Sequence, residues 1–412
     1  MRRRIAITGL GAVTPIGIGV KAFWHGLRDG ALGIGPITHF DPAPFACRVS
    51  AEVKGFEPAV HLSDRVTPEG RFAQFGLAAA RMAYDDAGLA TLRTASRFAL
   101  CVASGASAVP EFQEVVQRLQ GRPMRRHDAS IVVGSIGHAL TNYAAVGLGL
   151  RGQTMTLGSA CASGVDTIQW ASAQIGAGRI VGALAGAADA ALATSVHAAW
   201  GKLGWLSRWS GPPAQALRPW DALSDGSVLG EGAGMYVLED LDHARARGAH
   251  IYAEVLGYGN GTDGLDLRTV DPSGASLQAA MRAALDEARL GPGEIDHVNA
   301  HGGGVPRHDR AESTAYRAVL GRHAYNIPVT SIKAMIGQPF AAGGALQVVA
   351  ACFSLAEQFV PPTMNHDIPA PECDLDYVPH RGRPARVNRV LVTSRAIGPT
   401  HSVVILGRPD DD

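Results

Sequence analysis

Charge is scarce in this chain. Only 18% of the 412 residues are charged, and Lys+Arg 37 against Asp+Glu 37 leaves a formal net charge of +0. No basic block stands out, so neither nucleic acid nor a membrane is expected as a partner. Cysteine is sparse: Cys47, Cys101, Cys161, Cys352 and Cys373 form an odd, scattered set without CxxC spacing. That pattern predicts no disulfide framework and no metal site, and places the chain in a reducing cytoplasmic setting. No apolar run of about 18 residues stands out, so no membrane span is expected. The basic start, Met1 to Arg4, leads into a strand and a glycine turn, not the apolar segment of a signal peptide. The first strand is not followed by GxGxxG; Gly9-Leu10-Gly11-Ala12-Val13-Thr14-Pro15 reads as close packing of a strand end rather than a dinucleotide site.

What the chain does have is apolar: 46% hydrophobic residues and 50 glycines, enough for a large core or an oligomer interface. Periodicity predicts an amphipathic helix over 71–87, a buried strand over 97–104, one helix over 131–149, a strand over 154–157 and a helix from 165 to 176. Strands follow over 180–185 and 228–239, the second with Glu231 in its interior. From 251 the pattern starts again, with strands over 251–257, 295–300 and 328–332 and helices over 276–288, 313–320 and 345–356. A hairpin of 389–395 and 402–406 closes the chain, and the Pro/Gly-rich stretch 30–70 reads as irregular surface structure. This alternation predicts an α/β fold with parallel-type sheets covered by helices, in two duplicated halves, 1–245 and 246–412.

Three positions carry chemistry. Cys161 stands between small residues, Leu157-Gly158-Ser159-Ala160-Cys161-Ala162-Ser163-Gly164, where a strand gives way to a helix. A thiol there lies near unpaired helix N–H groups that favour the thiolate, although an inert buried cysteine fits the motif equally well. His301 ends a strand in Val298-Asn299-Ala300-His301-Gly302, and Lys333 ends another in Ser331-Ile332-Lys333. A buried lysine needs a partner, and Glu312 or Glu231 would serve. Cys101, Cys352 and Cys373 read as apolar fillers, Trp200, Trp205 and Trp209 as core packing.

Gly9 to Pro15, Ala160 to Gly164, Gly230-Glu231-Gly232-Ala233-Gly234, Asn299-Ala300-His301-Gly302 and Ser331-Ile332-Lys333 together resemble the β-ketoacyl-ACP synthase II and type II polyketide ketosynthase family. The resemblance implies the thiolase fold, a duplicated αβαβα sandwich of five layers, usually dimeric. It implies that Cys161 accepts an acyl chain from an acyl carrier protein and that condensation with a malonyl thioester follows. No permanently bound cofactor is implied, because the phosphopantetheine arrives on the carrier. The partner is a second copy or a ketosynthase-like chain-length-factor subunit. The oxyanion donors would be the N–H groups of Cys161 and Ile397, in a gating loop with Gly398, while Glu312 and Glu231 give structural support.

The sequence departs from that family on one side of the site. Gln338 stands where the second active-site histidine is expected, and His301-Gly302-Gly303-Gly304-Val305 has Gly303 and Val305 where the family has two threonines. Ala396-Ile397-Gly398-Pro399-Thr400-His401 replaces the glycine-rich gate. Gln338 keeps an amide donor, so the catalytic set reads Cys161, His301, Gln338 and Lys333. Two alternatives remain open: a non-elongating transferase, hydrolase or cyclase using the same acyl-cysteine, and a chain-length-factor-like partner without activity. His308 and His401 read as loop hydrogen-bonding residues.

Overall fold

Two five-stranded sheets are built to one plan. The first takes β1 (Ile5–Thr14), β2 (Ala99–Ala103), β3 (Thr154–Leu157), β4 (Gly182–Asp189) and β5 (Gly232–Asp240), in the order β3-β2-β4-β5-β1. The second takes β6 (Ala253–Thr262), β7 (His297–Asn299), β8 (Val329–Thr330), β9 (Arg389–Arg395) and β10 (Thr400–Gly407), in the order β8-β7-β9-β10-β6. In each, the first two pairings are parallel and the next two antiparallel. The sheets join edge to edge where β1 meets β6, from Ile5↔Val255 to Ile7↔Ala253. This structure is a computed structural model and describes residues 3–62, 66–92, 95–106 and 108–409; Met1 and Arg2 of the basic start lie outside the described residues.

The expectation of parallel-type sheets is corrected: both sheets are mixed. The closing hairpin shows why. β9 and β10 are joined by residues 396–399 alone, a connection only antiparallel strands can make.

Side-chain alternation along the strands creates the layers. In β2, Leu100 and Val102 face α1 (Arg71–Asp86) and α2 (Ala139–Leu148), while Ala99, Cys101 and Ala103 face α3 (Ser163–Gly176) and α6 (Phe340–Glu357). In β9, Val390 and Val392 join that same inner core, and Leu391 faces α4 (Ala275–Ala288) and α5 (Pro306–Leu320). The result is helix, sheet, helix pair, sheet, helix. The 18-residue α6 is long and apolar enough to cross a membrane, a run the sequence reading did not single out, yet 83% of it is buried inside the protein. A helix apolar all round suits a position between two sheets.

Matching glycines mark the duplication. A Cβ at Gly11 would overlap the Ala79 carbonyl of α1, and one at Gly259 would overlap the Ala280 carbonyl of α4. The glycine motif therefore serves close packing as expected, but in mid-strand. Two further expectations change. The single helix over 131–149 is two, Arg126–Gly134 and α2, bent by 96°. Within 30–70, Ile34–Pro36 pairs with Val49–Ala51, and buried Ala51 bonds Leu229 O (2.9 Å) and Glu231 N (3.1 Å).

Candidate active site

Loops at the carboxyl ends of β3, β7 and β8 carry the predicted residues into one place, as parallel strands generally do. Cys161 sits in a short 3₁₀ turn, Ala160–Ala162, immediately before α3. Ala160 holds φ at 49°, a region that costs a residue with a Cβ energy. The turn is tied down around it: Ser163 Oγ donates to Ala160 O (2.6 Å), Ser159 N donates to Ser163 Oγ (2.8 Å), and Ser394 Oγ of β9 donates to Cys161 O (3.1 Å). Gly164 lets α3 lie directly against α6, since a Cβ there would overlap Ala341 O and lie 2.6 Å from Ala345 N.

The thiol is only 2% exposed. Burial pushes it up to about 11, and the Asp189 carboxylate adds to the rise; the Gln338 side chain, Lys333 and the Ile397 N–H act the other way. Desolvation thus outweighs the helix-terminus N–H groups expected to favour the thiolate. Asp189 is itself buried and pushed up to about 6 by desolvation, against hydrogen bonds from Ser104, Gly105, Ala106 and Ala341.

His301 lies just beyond β7. Its own N–H and that of Gly302 donate to Glu312 (3.2 and 2.9 Å), which fixes the loop. The Arg395 N–H donates to His301 Nδ1 at 3.2 Å. Burial first, then Lys333 and Arg395, hold the ring well below its ordinary pKa. It is therefore neutral, with Nδ1 accepting and the hydrogen on Nε2.

Lys333 is 1% exposed and opens a helical turn, Lys333–Ile336, after β8. Its expected ion pair is absent among the described residues. Nζ instead donates to Gln347 Oε1 at 3.0 Å, and burial lowers its pKa to about 8 although Glu312 and Cys161 oppose the fall. Glu231 is not in this site; it accepts from Arg71 (2.8 Å) and Val53 N (2.9 Å). Burial opposes its charge, yet His39 and Arg71 hold its pKa below the ordinary value. Glu312 supports the site through the His301 backbone, not through the lysine.

Gln338 is held by its backbone, N to Val228 O (2.8 Å) and O from Gly230 N (3.1 Å). With Cys161, His301, Arg395, Ile397 and Gly398 it lines a narrow, solvent-connected cleft. Gly398 takes φ at 83°, open to glycine without strain. The gating loop is anchored by Gly398 N to Leu267 O (3.2 Å) and Asp263 N to Pro399 O (2.9 Å).

Residues 2–244 match the family described as beta-ketoacyl synthase, N-terminal domain, and residues 252–367 match beta-ketoacyl synthase, C-terminal domain. The chain belongs to the beta-ketoacyl synthase family. It is 39% identical, over 99% of both chains, to a Streptomyces cyaneus protein provisionally named polyketide beta-ketoacyl synthase 1. It is also 33% identical over the whole length to the 3-oxoacyl-[acyl-carrier-protein] synthase 2 of Coxiella burnetii. Among solved structures, the ishigamide ketosynthase/chain length factor superposes with a TM-score of 0.91 at 33% identity, covering 100% of both chains. A type II polyketide ketosynthase bound to its acyl-carrier protein gives 0.90 at 30%, over 99% of this chain and 100% of that one. These neighbours share the thiolase fold.

In this ketosynthase chain, Gln347 and Arg395 are the residues sequence reading missed. Gln347 Nε2 bonds the carbonyls of Ala300 (2.8 Å), Thr393 (3.0 Å) and Asn299 (3.1 Å), tying α6 to both flanking strands. The available signal was a single amide side chain inside a largely apolar helix. Trp200 and Trp205 line the cleft rather than only filling a core, stacked edge-on with each other and Trp200 with Phe340. His401 bonds Asp263 at 3.1 Å, as the sequence led one to expect, though from the start of β10 rather than from a loop. His308 does not: its Nε2 is buried without a partner, and its pKa is pushed down to about 2, chiefly by burial.

Proposed function

We propose that this ketosynthase is a condensing acyltransferase that loads an acyl chain from an acyl carrier protein onto Cys161 and joins it to a malonyl-type extender. One observation carries the reading. A cysteine from residues 1–245 and a neutral histidine, an amide and a buried lysine from 246–412 share one cleft or its wall, and we take those spans as the two functional halves.

The sulfur attacks the thioester carbonyl, and the carrier's C–S bond breaks to release its thiol. The oxyanion formed on the way takes the N–H groups of Cys161 and Ile397, the latter already directed at the sulfur. Because the resting thiol is neutral, its proton must leave as the thioester arrives. In the second step the extender loses carbon dioxide, and its enolate carbon attacks the acyl-cysteine, regenerating Cys161. His301 Nε2–H and the Gln338 amide are the donors for the enolate oxygen, and Lys333 supports the charge from behind. The cleft is lined both by exposed Leu267 and Arg268 and by buried Cys161, which suits the phosphopantetheine arm of a carrier.

A dimer is part of the same proposal. β3 is a sheet edge, with Thr154 and Met155 exposed, and an edge strand with unpaired N–H and C=O groups invites a second chain. The second chain is another copy or a chain-length-factor-like subunit. We place the reaction in the cytoplasm, on the strength of five buried free thiols.

Intact-mass spectrometry with acyl- and malonyl-carrier proteins tests the proposal. Wild type is expected to gain an acyl mass and then yield an elongated carrier product, and Cys161→Ala to gain nothing. Acylation persisting in Cys161→Ala would sink the nucleophile assignment. Acylation without elongation would move the chain to the non-elongating class of transferases, hydrolases and cyclases.

A further inference from the structure

Arg395 ends β9 and points its charge into the cleft beside the nucleophile. The residue is 7% exposed, its Nε is buried without a hydrogen-bond partner, and among the described residues no carboxylate lies at salt-bridge distance from it. Three acids act on it through space, Glu312, Asp263 and Asp309, each bonded elsewhere, although Asp309 Oδ1 is itself buried without a partner. Glu312 accepts from the His301 and Gly302 N–H groups and from Tyr316, Asp309 from Trp220 N, and Asp263 from His401. Burial lowers the guanidinium only to about 10, so it is a cation at neutral pH. A buried cation without an ion partner is costly, and a bound anion would relieve that cost. Guanidinium is planar and forked, which matches a carboxylate with two parallel N–H···O bonds. Phosphate on a carrier arm would belong at the solvent end of the cleft, near Arg268, because the arm must reach from there to Cys161.

We propose that Arg395 is a specificity residue that binds the carboxylate of a carboxyacyl thioester inside the cleft. The proposal rests on the reading of this cleft as a thioester site. The carboxylate comes either from a malonyl-type extender or from the far end of a dicarboxylic acyl chain, and the two sources share one chemistry. In either case the ion pair stabilises the carboxylate as an anion, so the cleft favours substrates that arrive carrying one.

The test measures binding rather than turnover, in a Cys161→Ala background that cannot be acylated. Dissociation constants for butyryl-, malonyl- and glutaryl-pantetheine are measured by calorimetry with Arg395 intact, as Arg395→Lys and as Arg395→Met. With Arg395 intact, malonyl- or glutaryl-pantetheine should bind at least about tenfold tighter than the neutral butyryl compound, as expected for a charge-assisted pair. A malonyl preference assigns the carboxylate to the extender and a glutaryl preference to the chain. Arg395→Met should erase the preference with butyryl binding kept, and Arg395→Lys should retain part of it. Equal binding of all three compounds with Arg395 intact overturns the proposal even if neither variant folds. So does a preference that survives in Arg395→Met. Failure of butyryl loading on Cys161 in the wild-type enzyme is a separate result, which counts against the acyltransferase reading alone.

Discussion

Lys333 offers a direct measure of what this site costs the fold. Its pKa falls from an ordinary 10.5 to about 8 because it is buried, and that fall corresponds to roughly 3 kcal/mol. The sign follows from proton counting. Below pH 8 both the folded and unfolded lysine are charged, and the folded state bears the full desolvation penalty. Between pH 8 and 10.5 the unfolded state binds more protons, so stability rises with pH and the penalty disappears. Lys333→Met removes the cation and strands Gln347 Oε1, a loss of about 1–3 kcal/mol. Near pH 7 the two effects nearly cancel, and the variant should be within about 2 kcal/mol of its parent. By pH 10 only the loss remains. The parent should therefore gain on the variant with a slope approaching 1.4 kcal/mol per pH unit near pH 9. Urea unfolding from pH 7 to 10 measures it, with both proteins carrying Cys161→Ala so that the thiol does not titrate in the same window. A stability difference that stays flat across that range would refute the buried lysine of lowered pKa.

The neutral thiol makes a kinetic prediction. With Cys161 near 11, alkylation by iodoacetamide should rise about tenfold per pH unit from 7 to 9; a plateau below pH 8 would show a stabilised thiolate instead. Gly164→Ala forces α3 off α6, and a destabilisation of about 1–3 kcal/mol should accompany slower Cys161 alkylation. Unchanged thermal stability would mean that the helices are not in the contact described. Gln347→Leu orphans the Ala300 and Thr393 carbonyls together with Lys333 Nζ, so a loss of at least about 3 kcal/mol is expected in denaturant unfolding, and a loss under 1 would show that the hub is dispensable.

The fold was readable wherever one pattern dominated a segment. The helix over 71–87 and the closing hairpin over 389–395 and 402–406 match α1, β9 and β10 closely because their apolar positions repeat at the period of the element they form. Apolar runs carry no such direction. β4 and β5 are buried on both faces, so nothing in their composition separates parallel from antiparallel pairing. The break between Arg126–Gly134 and α2 falls at Ser135-Ile136-Gly137-His138, so Gly134 and Gly137 offered a signal that the apolar pattern over 131–149 outweighed. Cys161 and His301 stood out because small residues flank a reactive one at a strand's end. Lys333 was legible as a buried charge, but its partner was not. The sequence offered carboxylates, and the fold delivered an amide 14 residues away on α6.

The unpartnered polar atoms bear on how far the departures at this site go. Buried polar atoms in a folded protein are nearly all hydrogen-bonded, and exceptions mark places where a ligand or water completes the structure. Gln338 Oε1, His308 Nε2 and Arg395 Nε are all buried without partners, and all three residues line the cleft with Cys161. His308 and Arg395 are felt at one another as like charges whenever the ring is protonated, so the histidine stays neutral and the arginine is the cation of this wall. A cleft that only needed to stabilise an enolate would be served by His301 Nε2–H and one amide. This wall has, besides, a cation and a histidine that the acids nearby leave unsatisfied. If Arg395 binds a carboxylate as proposed, the altered side of the site is built around an anionic ligand, and substrate charge is the variable that separates this from a site serving only an enolate.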